Sequence, residues 1–298
     1  MKRLIGLCLI CALLSCACAE TQFADCSSGF AFLPSGVEWT DSSYRSENMS
    51  IEITAQRVCD SDVYVADLRL RTAECLRRSF GDDEWNASSE KITTHAEKNG
   101  AVLALTGDNG HHLKAGWEVG NGVLWRKRGN NMRDLCVVYT DGTMQIHYVP
   151  ADYDLIARQT QEGLIWQTFV FGPALLDAEG KAFADFSASN VEPKNPRAVI
   201  GYYGPGHFCL VQVDGRSTGS ALEEKAINHG MTLLELAQFM ESLGCKAAYN
   251  LDGGQTAVMW FRDGVISTPY NNGRAMGDAI VICEPGAVKE NMEDFLVE

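Results

Sequence analysis

Between two apolar runs, residues 247–249 and 257–261, the chain gathers Asn250, Asp252, Gly253, Gly254, Gln255 and Thr256. Carboxamide, carboxylate, hydroxyl and two residues without a Cβ thus fall within seven positions. Glycine tolerates positive φ and lets a ligand come close to the backbone, so the stretch reads as a strand end that opens onto a site. The same residue types also build a hairpin turn with Asp-Gly between paired strands, and the local sequence fits both.

Three more polar tips stand at the ends of apolar runs. Asp108 follows the run 101–105, Asp214 follows 208–213, and Arg197 opens 198–203. Carboxylates so placed can activate water or stabilise a cationic carbon. A guanidinium can hold an anion through paired hydrogen bonds. Each also has an ordinary reading, the two aspartates as turn residues and the arginine in a surface ion pair. His207, after the turn Pro205-Gly206, is either a donor to a bound anion or an incidental turn residue. No grouping of His, Asp or Cys has metal-ligand spacing, so neither a metal nor another cofactor is expected.

Many short strands are needed to carry these tips. Alternating or wholly apolar runs predict strands over 51–55, 63–70, 101–105, 122–125, 135–139, 144–148, 195–203, 208–213, 265–266 and 279–282, with one more near 30–33. Asp141-Gly142 marks a hairpin. Residues 73–80 and 93–99 read as short helices. The clearest helix spans 231–243, where Thr232 and Glu235 form a capping box and Gly244 supplies the stop. Without repeats or low-complexity linkers, the pattern predicts one α+β domain over 51–284, with mixed, largely antiparallel twisted sheet and a few packed helices. Residues 20–50 read as an irregular leader and 285–298 as a tail.

The 298 residues carry a formal charge of −14, which argues against nucleic acid or an anionic membrane surface as partner. Lys2 and Arg3, the apolar run 4–14 and Ala17-Cys18-Ala19 make residues 1–19 a secretion signal too short to span a bilayer. Leu13-Leu14-Ser15-Cys16 also resembles a bacterial lipoprotein box, with cleavage before Cys16. The protein is therefore expected to be secreted or lipid-anchored to the outer face of a bacterial cell membrane. Cys26, Cys59, Cys75, Cys136, Cys209, Cys245 and Cys283 follow the signal, with wide spacings that define no disulfide pairing.

Taken together, Pro196-Arg197, Ile200-Gly201, Val213-Asp214-Gly215-Arg216, the segment 230–237, Gly244-Cys245 and Asn250-Leu251-Asp252-Gly253-Gly254 resemble the phosphodiester glycosidase family. Leu105-Thr106-Gly107-Asp108 and Phe171-Gly172-Pro173-Ala174-Leu175 extend the resemblance, which covers roughly residues 51–282. Thr106 stands where the family usually has Asn, Ala198 where Thr follows the arginine, and Thr256 where Ser is common. The resemblance implies a hydrolase that cleaves the glycosyl–phosphate bond of a sugar phosphodiester, N-acetylglucosamine-1-phosphodiester-like, on cell-envelope or extracellular glycans. It implies Asp252, Asp214 and Asp108 as catalytic carboxylates. Arg197, Asn250, Gly253, Gly254, Gln255, Thr256 and His207 would bind substrate, with Arg274 and Asp278 as further site residues. A non-catalytic carbohydrate-binding or exopolysaccharide-assembly protein on the same fold is the alternative.

Overall fold

A computed structural model describes residues 21–109, 112–217 and 219–286. The expected signal and lipoprotein box, and the tail beyond residue 286, lie outside the described residues. The expected leader is part of the fold. It carries no strand near 30–33; instead β1 (Glu38–Trp39) and β2 (Ser43–Arg45) form a hairpin, and β2 pairs with β3 (Met49–Val58). Tyr44 of β2 is buried, and its hydroxyl donates to Glu284 (3.0 Å), tying the start of the domain to its end.

β3 returns as β4 (Ser61–Leu70) through Cys59 and Asp60, both at positive φ as a tight primed turn requires. Residues 73–80 are not a helix: a 3-10 turn at Ala73–Cys75 leads into β5 (Leu76–Phe80). Pairing with the chain's last strand overrides the local helical pattern there. α1 (Ile92–Lys98) delivers β6 (Leu103–Thr106). Next come β7 (Gly116–Gly120), β8 (Val123–Arg128) and the hairpin β9 (Leu135–Tyr139) and β10 (Met144–His147), which turns at Asp141-Gly142. α2 (Tyr153–Gln161) and β11 (Ile165–Phe169) follow; neither they nor β7 were expected from the sequence.

β12 (Arg197–Gly204) and β13 (His207–Val213) pair tightly, and α3 (Leu233–Ser242) has the predicted capping box between Thr232 and Glu235. The chain closes with β14 (Ala247–Asn250), β15 (Met259–Phe261), β16 (Gly264–Val265) and β17 (Asp278–Ile282).

Every pairing among the named strands is antiparallel. One sheet runs β1-β2-β3-β4-β13-β12-β14 and a second β16-β15-β6-β17-β5. The main core lies between them, where Leu68, Ile200, Phe208 and Leu210 meet Leu103, Leu105, Ile280 and Met259. The opposite face of the first sheet is also covered: Val199, Val211 and Val213 pack with Leu233, Leu236 and Met240 around α3. α1 covers the outer face of the second sheet through Ile92 and Ala96. Central strands thus bury both faces, so stretches such as 103–105, 198–200 and 208–211 read as apolar runs rather than alternating ones, although the sheets are antiparallel.

Candidate active site

β12 lies beside β14, with Val199 opposite Asn250. Hydrogen bonding continues past the strand ends, from Leu251 N–H to the Ala198 carbonyl (2.9 Å) and from Gly254 N–H to the Pro196 carbonyl (3.0 Å). This pairing sets Asp252 beside Arg197. β14 and β15 belong to different sheets, so the stretch after Asn250 is no hairpin turn. It crosses between the sheets through a 3-10 turn at Gly254–Thr256. The glycines are steric requirements: a Cβ on Gly253 would stand 2.6 Å from the Pro196 carbonyl oxygen, and Gly254 has φ +66°.

The result is a cleft of about 330 Å³. Arg197, Arg216, Arg274, Asn195, Gln255 and Tyr270 line it around Asp252, with Phe171 and Val191 as apolar wall. Asp252 is the only carboxylate on its walls among the described residues. Its side chain is held from behind: Oδ2 accepts from the Thr256 hydroxyl (2.8 Å) and Oδ1 from the Gly253 N–H (2.9 Å). Its own N–H donates to the Gly107 carbonyl (3.1 Å), which docks the loop after β6 against the end of β14. Burial raises the Asp252 pKa above the usual carboxylate value, while the two hydrogen bonds and Arg274, at 3.9 Å, oppose the rise.

Arg197 is only 2% exposed, yet among the described residues no carboxylate hydrogen-bonds it. Nε donates to the Met231 carbonyl (2.8 Å), and Nη2 to those of Glu192 (3.1 Å) and Pro193 (2.6 Å). Burial pulls its pKa down to about 10, so it remains a cation at neutral pH. Three backbone dipoles therefore fix this guanidinium at the cleft without neutralising it. Nearby, Asn195 Oδ1 is buried and has no hydrogen-bond partner among the described residues.

The structure separates the other expected site residues from the cleft. Asp108 is fully buried and accepts from the N–H groups of Val170 (2.7 Å) and Phe171 (2.8 Å). Burial, with the Glu118 carboxylate nearby, pushes its pKa up to about 8. It holds the segment carrying Phe171 rather than facing substrate. Asp278 takes the Asp108 N–H (3.0 Å), the Asn109 N–H (2.7 Å) and the Arg78 guanidinium (2.8 Å). Burial alone would raise its pKa, but Arg78 and those N–H groups keep it below the usual value. Arg78 is itself paired with buried Glu118 (3.1 Å), so a charged cluster out of reach of the cleft fixes the loop after β6.

Asp214 is buried against the Thr268 N–H (2.7 Å) and does not line the cleft. Asn250 donates from Nδ2 to the Gly172 carbonyl (2.8 Å), and Thr256 is 1% exposed behind Asp252, so both support the site from inside. The N–H groups of Gly253 and Gly254, expected to face substrate, are taken by Asp252 and Pro196. His207 is at the wrong end of the sheet. It opens β13, roughly 20 Å from the strand's Asp214 end at the usual rise per residue, and it binds Asp67 (3.0 Å). Sequence reading missed Arg216, Asn195 and Tyr270 on the cleft. Arg216 lay inside a recognised motif, but nothing local distinguishes it from an ordinary turn arginine.

The chain thus has an antiparallel α+β fold with one aspartate among three arginines in a cleft at its strand ends. Residues 93–283 match the family described as phosphodiester glycosidase, and the chain belongs to that family. It is 28% identical over 212 residues to the SPbeta prophage-derived uncharacterized protein YomE of Bacillus subtilis (strain 168), a match covering 66% of this chain and 30% of that relative. The chain thus spans under a third of that relative's length. Among solved structures it is similar to the catalytic domain of zebrafish N-acetylglucosamine-1-phosphodiester alpha-N-acetylglucosaminidase, auto-inhibited by its pro-peptide. That likeness has TM-score 0.62 and 19% identity over 89% of this chain and 88% of the other. A hypothetical protein from Synechocystis shares the fold at TM-score 0.58 and 12% identity, over 79% of this chain and 62% of that one.

Proposed function

We propose that the protein hydrolyses the glycosyl–phosphate bond of a sugar phosphodiester, with the sugar at Asp252 and the phosphate among Arg197, Arg216 and Arg274. The observation that carries this reading is the composition of the cleft: one carboxylate with three guanidinium groups. An ordinary glycosidase needs two carboxyl groups, because an alkoxide leaving group must be protonated. A phosphate monoester has a second pKa of about 6 and leaves without a strong acid. Cations that bind its developing charge then take the place of the second carboxylate.

In this scheme Asp252 stabilises positive charge at the anomeric carbon and accepts a proton from the incoming water. The bond from that carbon to the phosphate oxygen breaks, and the phosphomonoester departs into the arginine-lined side. Asn195 and Gln255 face sugar hydroxyls or an acetamido group. Thr256 and the cluster of Arg78, Asp108 and Asp278 hold Asp252 and its loop in place. N-acetylglucosamine-1-phosphodiesters on cell-envelope or extracellular glycans are the proposed substrates, met by a protein that is secreted or anchored at Cys16.

The test is turnover of a set of sugar-1-phosphate diesters by wild type and Asp252→Asn. The expected result is sugar release by wild type, a drop of at least ~10³-fold in the variant, and retained binding. Binding by wild type without turnover of any diester would favour the non-catalytic glycan-binding alternative. Equal cleavage of phosphate-free aryl glycosides would favour an ordinary glycosidase.

A further inference from the structure

On the face of the first sheet covered by α3, the sulfurs of Cys209 and Cys245 lie 3.7 Å apart. Cys209 is on β13 and Cys245 joins α3 to β14, with 36 positions between them in sequence. Both are buried, at 0% and 3% exposure. The neighbouring strand leaves room for the pair. Gly201 stands opposite Cys209, and a Cβ there would come within 2.6 Å of the Cys209 sulfur and 3.0 Å of the Cys245 sulfur.

Cys245 lines an open cleft of about 430 Å³ formed with Glu179, Lys181, Glu241 and Lys246, which shares no residue with the arginine-lined cleft. Cys209 is not in its lining. The Cys209 thiol beside it lowers the Cys245 pKa, and the effect on Cys209 is the reverse. Of the two cysteines, Cys245 is the one that borders this cleft.

We propose that Cys209 and Cys245 are a disulfide-forming pair, oxidised by exchange with an external disulfide that enters through the Cys245 cleft. The Cys245 thiolate attacks one sulfur of the external R–S–S–R and expels RS⁻, leaving a Cys245–S–S–R mixed disulfide. The Cys209 thiolate then attacks the Cys245 sulfur and expels the second RS⁻. Both cysteine protons end on the released thiols, so two cysteines are oxidised and one external disulfide is reduced to two RSH. The bond fastens the entrance of β14, the strand that delivers Asp252, to the centre of the sheet.

The purified chain is incubated with oxidised glutathione or with dithiothreitol, alkylated, digested without reduction and mapped by mass spectrometry. The oxidised sample is expected to yield the Cys209 and Cys245 peptides joined and lacking two hydrogens, and to melt roughly 5 °C above the reduced sample. Cys245→Ala, compared with itself under both conditions, shows no such shift whatever its absolute stability. Cys209→Ala stalls with glutathione on Cys245. Alkylated free thiols at both positions after oxidation, a redox-dependent melting shift in Cys245→Ala, or an unmodified Cys245 in Cys209→Ala would overturn the proposal.

Discussion

The Thr256 hydroxyl stands 2.8 Å from Oδ2 of Asp252 and, with the Gly253 N–H on Oδ1, opposes the rise that burial causes in the pKa of that carboxylate. A hydrogen bond to an ionised group is worth about 1.5–3 kcal/mol, or roughly one to two pKa units. Thr256→Val keeps the side-chain volume and removes the donor. Asp252 must lose its proton to act as a base, so the acid limb of the kcat/KM profile should move up by roughly one to two units. The loss should be larger at pH 5 than at pH 8, and Thr256→Ser should restore the profile. An unmoved acid limb in Thr256→Val would show that the hydroxyl is not tuning Asp252.

Arg216 and Arg274 are the cleft cations that can be removed without disturbing the fold. Arg216 is exposed and the Arg274 side chain is 53% exposed, whereas Arg197 is fastened to three backbone carbonyls. Alanine at either exposed position should raise KM for a glycosyl phosphodiester by roughly 10- to 100-fold, the size of a lost charge-assisted contact. Stability should stay within about 0.5 kcal/mol of wild type. Steady-state kinetics beside thermal melts would measure both. An unchanged KM in both variants would remove the phosphate from the proposed site.

Much of this arrangement was legible because the central strands are buried on both faces. The runs of β6 and β14 are apolar segments, each ended by a polar tip, and β13 is apolar but for His207 and Gln212 before its Asp214 tip. What could not be read was which tip faces outward. Asp108, Asp214, Asp252 and Asp278 look alike in the chain, yet three are sealed by N–H donors from residues 54 to 170 positions away. Only chain pairing between β12 and β14 leaves the fourth open. α2 escaped notice because Ile156 is its only buried residue, with Tyr153 and Ala157 only partly buried beside it, so its apolar stripe is short. β7 is Gly-Trp-Glu-Val-Gly, poor in strand formers, and buries Glu118 only because Arg78 and Arg126 arrive from other strands.

His207 provides a negative control from the same sheet. Arg197 pairs with Val213 at the cleft end of β13, while His207 pairs with Gly204 at the other end. His207→Ala should therefore leave kcat/KM within about twofold of wild type. It removes the contact to Asp67 and the packing on Tyr203, with ring centroids 4.5 Å apart, so a stability loss of about 1 kcal/mol is expected. A large drop in activity with little change in melting temperature would return His207 to the site.

Asp214 should reveal itself through stability rather than catalysis. Burial pushes its pKa up to about 6 despite hydrogen bonds from the Thr268 N–H and Gln212. In the unfolded chain the group has an ordinary value near 3.8, so between about pH 4 and pH 6 the native state binds the extra proton. Its contribution to stability is then most favourable below pH 4 and becomes less favourable as the pH rises to about 6. The change integrates to an order of 3 kcal/mol. Asp214→Asn cannot ionise and still offers an oxygen to the Thr268 N–H. The difference in unfolding free energy, variant minus wild type, should therefore increase with pH across that window and level off above about pH 6–7. Urea unfolding of both proteins from pH 4 to pH 8 measures this difference, in which the other titrating groups cancel. A difference that falls with pH would mean that the Asp214 carboxylate is stabilised by folding, with a pKa below its unfolded value.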